Sequence, residues 1–242
     1  MPTQMPPAGP EPRHAVVLLS GGLDSATVLA IACAEGWTCH ALTVRYGQRH
    51  GIEIERARRL AAALGAREHR VLELDLAGWG GSSLTGTGAV PHDARPEAGE
   101  RIPSTYVPAR NTILLSLALA WAEALAARAI FIGVSAVDYS GYPDCRPQFV
   151  AAFQRVAEIG TSAGLAGSAP LIRAPLIHKT KAETIRWGAA LGLDYGLTWS
   201  CYDPAPGERP CGTCDSCRLR ARGFAEAGLV DGLLADPGGR KA

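Results

Sequence analysis

The chain contains 242 residues, a length that suits one large domain or one domain with an appendage. Its residues are 47% hydrophobic and 19% charged, a composition that excludes disorder of the whole chain. With 24 lysines and arginines against 23 aspartates and glutamates, the formal net charge is +1, so the chain as a whole does not attract nucleic acid or an anionic membrane. Binding of any phosphorylated ligand must therefore depend on a local site.

The cysteine content and the apolar segments indicate a reducing compartment. Seven cysteines are too few for a disulfide scaffold in a chain of this length, and the first residues, MPTQMPPAGPEPRH, lack the basic and then apolar profile of an export signal. The most apolar window, residues 113–134, is interrupted by Glu123 and Arg128, which favours buried core over a membrane span. We therefore expect a cytoplasmic protein with neither a membrane nor a nucleic-acid partner.

Short apolar runs alternate with amphipathic stretches, which predicts strands and helices in turn. The predicted strands are residues 15–20, 40–45, 70–75 and 129–134, with a short extended piece at 171–177. The predicted helices are residues 24–34, 52–64, 111–127, 148–162 and 181–191. Apolar strands separated by helices are typical of a parallel sheet covered on both faces. The predicted fold class is therefore α/β, with a doubly wound, mainly parallel sheet that binds ligands at the carboxyl ends of its strands.

The chain is expected to divide into four regions. These are a disordered leader (1–12), an α/β domain (13–195), a cysteine-bearing helical segment packed on that domain (196–230) and a tail (231–242). Residues 78–101 are rich in Gly, Pro, Ser and Thr and have no periodicity, so they are predicted to form either an ordered lid or a mobile loop.

The motif SGGLDS, residues 20–25, directly follows the first predicted strand and precedes a helix. Its two glycines let backbone N–H groups approach an anion, its serine hydroxyls add donors, and the helix N-terminus favours negative charge. The motif has neither the Walker A spacing nor that of a dinucleotide-binding loop. A phosphate cradle is the prediction; the alternative is an ordinary glycine turn with Ser20 or Asp24 as the helix N-cap.

SGGLDS closely resembles the pyrophosphate loop of the N-type ATP pyrophosphatases. The resemblance implies an adenine nucleotide alpha hydrolase-like fold and a loop that holds the β,γ-phosphates of ATP while a substrate oxygen attacks the α-phosphate. Adenylation with release of pyrophosphate is the implied reaction. The nucleotide-binding stretch that the resemblance implies is Leu18, Leu19, Ser20, Gly21, Gly22, Leu23, Asp24, Ser25, Ala26, Thr27 and Val28.

Charged residues extend this predicted site. Asp24 lies inside an anion site, where repulsion is costly unless a cation such as Mg²⁺ is shared between ATP and its carboxylate. Lys179 and Lys181 are two of only three lysines and lie near a predicted helix start, where the dipole disfavours cations. Phosphate contacts are the prediction and a solvated surface turn is the alternative. Together with Ser20 and Ser25, these three residues are the candidate catalytic groups.

Three further residues lie at predicted strand or helix ends. Gln48 follows the second strand, whereas Arg110 and Asn111 open the long apolar helix. Each is weak evidence alone, and each is a candidate for nucleotide binding.

Four cysteines have the spacing C-x9-C-x2-C-x2-C. Two successive C-x2-C steps let thiolates converge on one ion from a tight turn, and the upstream thiolate completes a tetrahedral site. One structural Zn²⁺ per chain is the prediction, with an iron–sulfur cluster as the competitor. The predicted ligands are Cys201, Cys211, Cys214 and Cys217.

The segment GVSAVDYSGYPDCRPQF, residues 133–149, is dense in polar and aromatic residues for a loop. Aromatic rings could stack on a flat heterocycle, a carboxylate could accept two donors from a guanine-like edge, and Arg146 could pair with a substrate carboxylate. The alternative is a turn-rich loop with a salt bridge between Asp144 and Arg146. The candidate substrate-binding residues are Asp138, Tyr139, Tyr142, Asp144 and Arg146.

Several motifs together resemble the 7-cyano-7-deazaguanine synthase family of the queuosine pathway over residues 14–228. They are SGGLDS, RYGQRH, TYVPARNTILLSLALAWAE, GVSAVDYSGYPDCRPQF, PLIHKTKAETI and SCY…CGTCDSCRLR. The resemblance implies that 7-carboxy-7-deazaguanine is adenylated, that ammonia displaces AMP to give the amide, and that a second ATP activates the amide oxygen to leave the nitrile. It also implies a four-cysteine zinc site and a homodimer.

Three rival functions remain at this stage. A tRNA sulfur transferase shares the adenylating loop but needs a basic face or an RNA-binding appendage and a thiol, for which Cys145 is the candidate. A zinc-ribbon-like binding module has no use for SGGLDS. An amidotransferase would need a glutaminase-length domain, which the sequence does not contain, so ammonia must arrive free or from a partner.

Overall fold

A computed structural model describes residues 12–48, 51–86, 88–92, 102–135 and 142–234. Its strands are β1 (His14–Leu18), β2 (Thr38–Arg45), β3 (Glu68–Glu73), β4 (Ala129–Phe131) and β5 (Leu171–Arg173). They form one parallel sheet in the order β3-β2-β1-β4-β5. The order reverses at β1, so the carboxyl ends of β1 and β4 border the crevice where such sheets bind ligands.

Seven α-helices connect or follow the strands in the part of the chain that the structure describes. They are α1 (Leu23–Ala34), α2 (Ile52–Ala63), α3 (Arg110–Ala124), α4 (Pro147–Gly160), α5 (Ser162–Leu165), α6 (Lys181–Ala190) and α7 (Asp215–Ala227). Short 3₁₀ turns lie at Ala77–Trp79, Pro143–Cys145 and Tyr195–Leu197.

The sheet is covered on both faces, as the apolar strands predict. In β1, Ala15 and Val17 face a core shared with α1, α2, α6 and α7, whereas Val16 and Leu18 face a second core shared with α3 and α4. This alternation follows from the two-residue period of a strand. The predicted doubly wound α/β fold is therefore confirmed.

The predicted elements differ from the observed ones mainly at their ends. The strand predicted for 15–20 ends at Leu18, which leaves Leu19 and Ser20 to enter the SGGLDS loop. The long helix predicted to reach residue 127 ends at Ala124, because Ala126 adopts a left-handed backbone with φ of 51°. Helix α5 and the 3₁₀ turns are too short to produce a periodic pattern.

The described part of the predicted loop 78–101 packs on the cysteine segment. Leu84 and Val90 are buried in a third cluster that includes Trp199, Cys201 and Cys214. Residues 93–101 lie outside the described residues, as do residues 1–11 of the leader and 235–242 of the tail. The described stretch 78–92 therefore has the packing expected of an ordered cover.

Helix α7 is tied to the segment that follows it by a buried ion pair, and its Arg220 also reaches Tyr195 and Thr198. Arg220 donates to both carboxylate oxygens of Asp231 at 2.6 and 2.7 Å, to Thr198 at 2.7 Å and to the carbonyl of Tyr195 at 2.9 Å. The side chains of Arg220 and Asp231 are 5% and 6% exposed.

Within the described residues, no helix is long and apolar enough to cross a membrane.

We predict that Asp231→Ala lowers the free energy of unfolding by about 3–5 kcal/mol, because it leaves the guanidinium of Arg220 buried without its counter-charge. Urea denaturation measures the loss. The matched control is Glu226→Ala, which removes an exposed pair to Arg222 and should cost no more than about 1 kcal/mol. Equal small losses in both variants would contradict the anchoring role of the buried pair.

Candidate active site

The SGGLDS loop is shaped by hydrogen bonds between its own serines. The backbone N–H of Ser20 donates to Oγ of Ser25 at 3.1 Å, and the two hydroxyl oxygens are 3.0 Å apart. The Ser25 hydroxyl also donates to the carbonyl of Gly22 at 3.1 Å, and Gly22 is the N-cap residue of α1. Ser20 is exposed whereas Ser25 is buried. The loop therefore presents the positive end of α1 and polar groups to solvent, as an anion cradle requires.

Gly21 has to be a glycine for two reasons. Its φ is +87°, which L side chains rarely adopt, and a Cβ atom there would overlap the carbonyl oxygen of Glu53 on α2. The carbonyl of Gly21 accepts a hydrogen bond from the backbone N–H of Trp199 at 2.9 Å. On the other side of the loop, a Cβ at Gly133 would lie 3.0 Å from the backbone nitrogen of Ser25. Three separate segments of the chain thus pack directly against the loop.

Asp24 and Lys181 form an ion pair at this loop. The ammonium group of Lys181 donates to both oxygens of Asp24 at 2.7 and 2.8 Å. Lys181 is the first residue of α6, and its place is fixed by a capping box between Thr180 and Glu183. The ammonium group of Lys181 therefore offsets the repulsion that the carboxylate of Asp24 would otherwise exert on an anion at this site.

The structure separates the two lysines that the sequence grouped. The side chain of Lys179 is 3.8 Å from Glu183 on the exposed side of α6 and does not line the cleft beside the loop. Only its backbone approaches the site, because Ser135 donates to the carbonyl of Lys179 at 2.8 Å. Lys181, by contrast, lines the cleft.

A cleft of about 280 Å³ extends from the loop across the carboxyl ends of β1, β2 and β4. The cysteine segment forms one wall through Trp199, Ser200 and Tyr202, and α7 contributes Ser216 and Leu219. The position is the one that the strand order predicts for a ligand site.

An aromatic and charged group of side chains occupies the cleft wall formed by α2, α3 and the end of β2. The guanidinium of Arg110 lies 5.8 Å from the ring centre of Tyr46 and donates to its hydroxyl at 3.4 Å. Glu53 of α2 lines the same cleft, where desolvation raises the pKa of its carboxyl to about 7 against the opposing charge of Arg110. Before Arg110, Ala109 has a left-handed backbone with φ of 53°. Such strain in a non-glycine residue is typical of functional sites.

The candidate substrate-binding residues lie in different environments. Tyr142 lines the cleft, and its hydroxyl is 2.8 Å from that of Thr105. Asp144 is buried and does not line the cleft: its Oδ2 accepts from the backbone N–H of Asn111 at 3.0 Å. Arg146 is exposed as the N-cap residue of α4, and it does not line the cleft either. Asp138 and Tyr139 lie outside the described residues.

The predicted nucleotide-binding residues also divide. Leu18, Leu19, Ser20, Gly22, Leu23, Asp24, Ser25, Gln48, Arg110 and Asn111 line the cleft. Ala26, Thr27 and Val28 are fully buried behind the loop, where the hydroxyl of Thr27 is 2.8 Å from that of Tyr195. The structure therefore gives these last three residues packing contacts that position α1.

The four cysteines converge as their spacing predicts. Their Sγ atoms all lie within 4.8 Å of one another, and those of Cys211 and Cys217 are 3.9 Å apart. A tetrahedral zinc with bonds of about 2.3 Å would place its sulfurs about 3.8 Å apart, so the donor set fits that ion. Hydrogen bonds among the thiols lower the pKa of Cys214 and raise the pKa values of Cys201 and Cys217, so one thiolate is shared within the cluster.

Sequence reasoning missed several residues of the cleft. Tyr46 lies within the motif RYGQRH, and its position directly after a buried strand was a signal that could have identified it. Glu53 is the second residue of a helix that reads as ordinary surface, and Tyr202 lies within the motif SCY but was quoted only beside Cys201. None of the three carries a spacing rule of its own, so only the fold brings them together.

The fold is shared with a known nucleotide-binding protein. A 4-thiouridine synthetase, solved as an RNA complex with bound ATP, superposes with a TM-score of 0.52 at 17% identity, covering 89% of this chain and 50% of that chain. The chain is therefore a doubly wound α/β protein.

The chain belongs to the family described as "Queuosine biosynthesis protein QueC", whose model matches residues 14–228. A relative from Frankia casuarinae is 58% identical over 95% of this chain and 98% of its own length. One from Azoarcus sp. is 61% identical over 90% of this chain and 95% of its own length. Both are named 7-cyano-7-deazaguanine synthase. The family expected from the sequence is thus confirmed.

We predict that Gly21→Ala abolishes the stabilisation by ATP that a nucleotide-binding loop provides, because the added methyl group collides with α2. The measurement is the rise in melting temperature on adding ATP and Mg²⁺. The control is Gly65→Ala, at a φ of +73° with no atom within 4 Å of the added Cβ, which should lower stability by about 1 kcal/mol and keep the ATP response. An unchanged ATP response in Gly21→Ala would contradict the assigned role of the loop.

Proposed function

We propose that the protein is an ATP-dependent enzyme that converts 7-carboxy-7-deazaguanine and ammonia into 7-cyano-7-deazaguanine. The observation that carries this proposal is the high identity, over nearly the whole of both chains, to relatives named for that product. A cleft that begins at an anion-binding loop and ends at aromatic side chains supports it.

The reaction balances as two activations of the same carbon. A carboxylate oxygen attacks the α-phosphate of ATP, which releases pyrophosphate and leaves an acyl-adenylate. Ammonia then displaces AMP and loses a proton, which gives the amide. The amide oxygen attacks a second ATP, which releases pyrophosphate and, with loss of one N–H proton, leaves an imidoyl-adenylate. Loss of AMP together with the remaining N–H proton then leaves the nitrile. Each activation by ATP converts an oxygen that is a poor leaving group into AMP, which leaves readily.

The loop residues supply the phosphate contacts in this proposal. Ser20, Gly22 and Ser25 hold the departing pyrophosphate with hydroxyl and backbone N–H groups. Lys181 lies at the loop, 2.7 Å from Asp24, where its charge stabilises the negative charge that develops on the phosphates. Asp24 orients Lys181 through the same ion pair.

The donor set also suits Mg²⁺, because Asp24 offers two carboxylate oxygens beside the phosphate loop. A bound Mg²⁺ would neutralise phosphate charge and align the α-phosphate for attack. The residues that would hold it are Asp24 and, through the nucleotide, the loop itself.

For the four cysteines we propose a structural Zn²⁺, with one ion per chain. Four thiolates complete its coordination and leave no position for water, so the ion has no Lewis-acid part in the reaction. Its role is to hold Trp199, Ser200 and Tyr202 in the cleft wall. Reduced thiolates require a reducing compartment, which supports the predicted cytoplasmic location.

Two further predictions remain, one from the family resemblance and one from the organisation of the sequence. The homodimer expected from it is supported by exposed apolar side chains on α4 and at β5, which are Val156, Ile159 and Leu171. The division into an α/β domain (13–195) and a cysteine segment (196–230) also stays a prediction.

The sulfur transferase alternative is not favoured. The relatives that cover nearly the whole chain are named synthases, and the likeness to the 4-thiouridine synthetase extends to the fold alone. Cys145, the candidate sulfur carrier, is buried beside Asn111, whose Nδ2 donates to Sγ at 3.4 Å.

Mass spectrometry of the products tests the proposed function. Incubation with ATP, ammonia and 7-carboxy-7-deazaguanine should yield the nitrile together with AMP and pyrophosphate. Lys181→Met should slow pyrophosphate release by about 100-fold or more, because the loop loses its cation. The matched variant Lys179→Met removes an exposed lysine from the same helix start and should retain activity within about threefold.

Absence of nitrile from the wild-type reaction would contradict the function. Equal losses in the two lysine variants would contradict the distinction between Lys181 and Lys179 while leaving the function in place.

We predict that Cys214→Ser lowers the bound zinc from about one ion per chain to near zero and lowers the melting temperature, because one of four ligands is lost. Elemental analysis of the purified protein measures the metal. Cys33→Ser is the control, since Cys33 lies on α1 beside Cys39 and away from the cluster. Iron and sulfide in place of zinc would support the iron–sulfur competitor.

A further inference from the structure

Glu53 is a cleft carboxylate that the phosphate chemistry does not use. Two carboxylates line the cleft in the part of the chain that the structure describes, Asp24 and Glu53. Asp24 is held by Lys181 at 2.7 Å. Glu53 has no cation within 4.0 Å and no hydrogen-bond donor among the described residues, although it is half-buried. A carboxylate in a cleft normally has such partners. Because no described residue supplies one, the oxygens of Glu53 are left to accept hydrogen bonds from a ligand.

The groups around Glu53 complement a flat, polar ring. Arg110 opposes it with a positive charge, and that charge lowers the carboxyl pKa that burial raises. The rings of Tyr46, Tyr142 and Tyr202 line the same cleft. Aromatic rings stack on heterocycles, and a carboxylate beside a guanidinium offers acceptors next to donors. The same set of side chains would not be needed to hold phosphate.

Asp144, the carboxylate that the sequence suggests for binding a guanine-like edge, is already occupied by other partners. Asp144 uses Oδ2 to accept from the N–H of Asn111 at 3.0 Å, and Asn111 donates back to the carbonyl of Asp144 at 3.1 Å. This reciprocal pair fixes the start of α3 and thereby the position of Arg110. Asp144 is therefore a positioning residue for the cleft and does not itself contact the ring.

We infer that Glu53 is the specificity-determining residue for the substrate. Its two oxygens accept the ring N–H and one exocyclic amino hydrogen of the 2-amino-4-oxopyrimidine edge, and Arg110 donates to the adjacent ring carbonyl. This inference rests on the proposed function, because it takes 7-carboxy-7-deazaguanine as the ligand. It assigns the base edge to side chains of α2 and the start of α3.

The test compares two substrates with two enzymes. The second substrate is the same carboxylic acid without its 2-amino group, and the variant is Glu53→Gln. Wild-type enzyme should prefer the amino-bearing substrate in kcat/KM by about 30-fold, the worth of one hydrogen bond to a charged group. Glu53→Gln should reduce that preference to about threefold or less, mainly through KM for the base, and should leave KM for ATP within twofold.

The matched control is Glu55→Gln, which lies on the same helix with an exposed carboxylate paired to Arg59 at 3.0 Å. It should keep the wild-type preference. Melting temperatures show whether the variants fold, and the wild-type comparison of the two substrates needs no variant.

Three results would overturn the inference. Equal use of the two substrates by wild-type enzyme would show that no group reads the amino edge. An unchanged preference in Glu53→Gln would assign the reading to another residue. A raised KM for ATP alone would place Glu53 at the nucleotide. If wild-type enzyme still forms the nitrile, each of these results overturns the inference and leaves the proposed function in place. If wild-type enzyme forms no nitrile, the inference and the proposed function both fail.

Discussion

The hydrogen bond from the backbone N–H of Trp199 to the carbonyl of Gly21 joins the two halves of the site. On one side of that bond is the loop after β1, in which Gly21 has a positive φ and packs directly against α2. On the other side is the fully buried Trp199, whose indole N–H donates to the carbonyl of Cys201 at 2.9 Å. The proposed phosphate-binding loop and the segment that carries the cysteines are therefore placed by the same residue, two positions before Cys201.

Charge in the cleft is arranged in two separate pairs. Near the loop, Asp24 and Lys181 are in direct contact, so the lysine is held where phosphate charge would develop. On another wall of the cleft, Glu53 and Arg110 face the same space without forming an ion pair among the described residues, and each keeps capacity for a ligand. A contact pair suits a site that must stay organised between two successive activations, whereas an open pair suits recognition of a neutral ring with donors and acceptors side by side.

Much of the fold could be predicted from the sequence, because buried parallel strands and the helices between them leave clear patterns. The SGGLDS loop and the four cysteines could be predicted too, since each depends on local spacing. Which of Lys179 and Lys181 faces the loop could not, because a capping box turns one inward and leaves the other beside Glu183. Nor could the environments of Asp144 and Glu53, since Asp144 is placed by hydrogen bonds to the distant start of α3 and Glu53 by the packing of α2 at the cleft.

The cysteine segment contributes one wall of the cleft through Trp199, Ser200 and Tyr202. In a site of four thiolates the energy of metal binding is also folding energy, because the ligands are not held together without the ion. A newly made chain without metal would therefore complete its sheet and its glycine loop and still lack one wall of the cleft. With the proposed ion at the four cysteines, delivery of that ion would be the last step of maturation, and the supply of metal, as much as synthesis of the polypeptide, would set how many molecules can turn over.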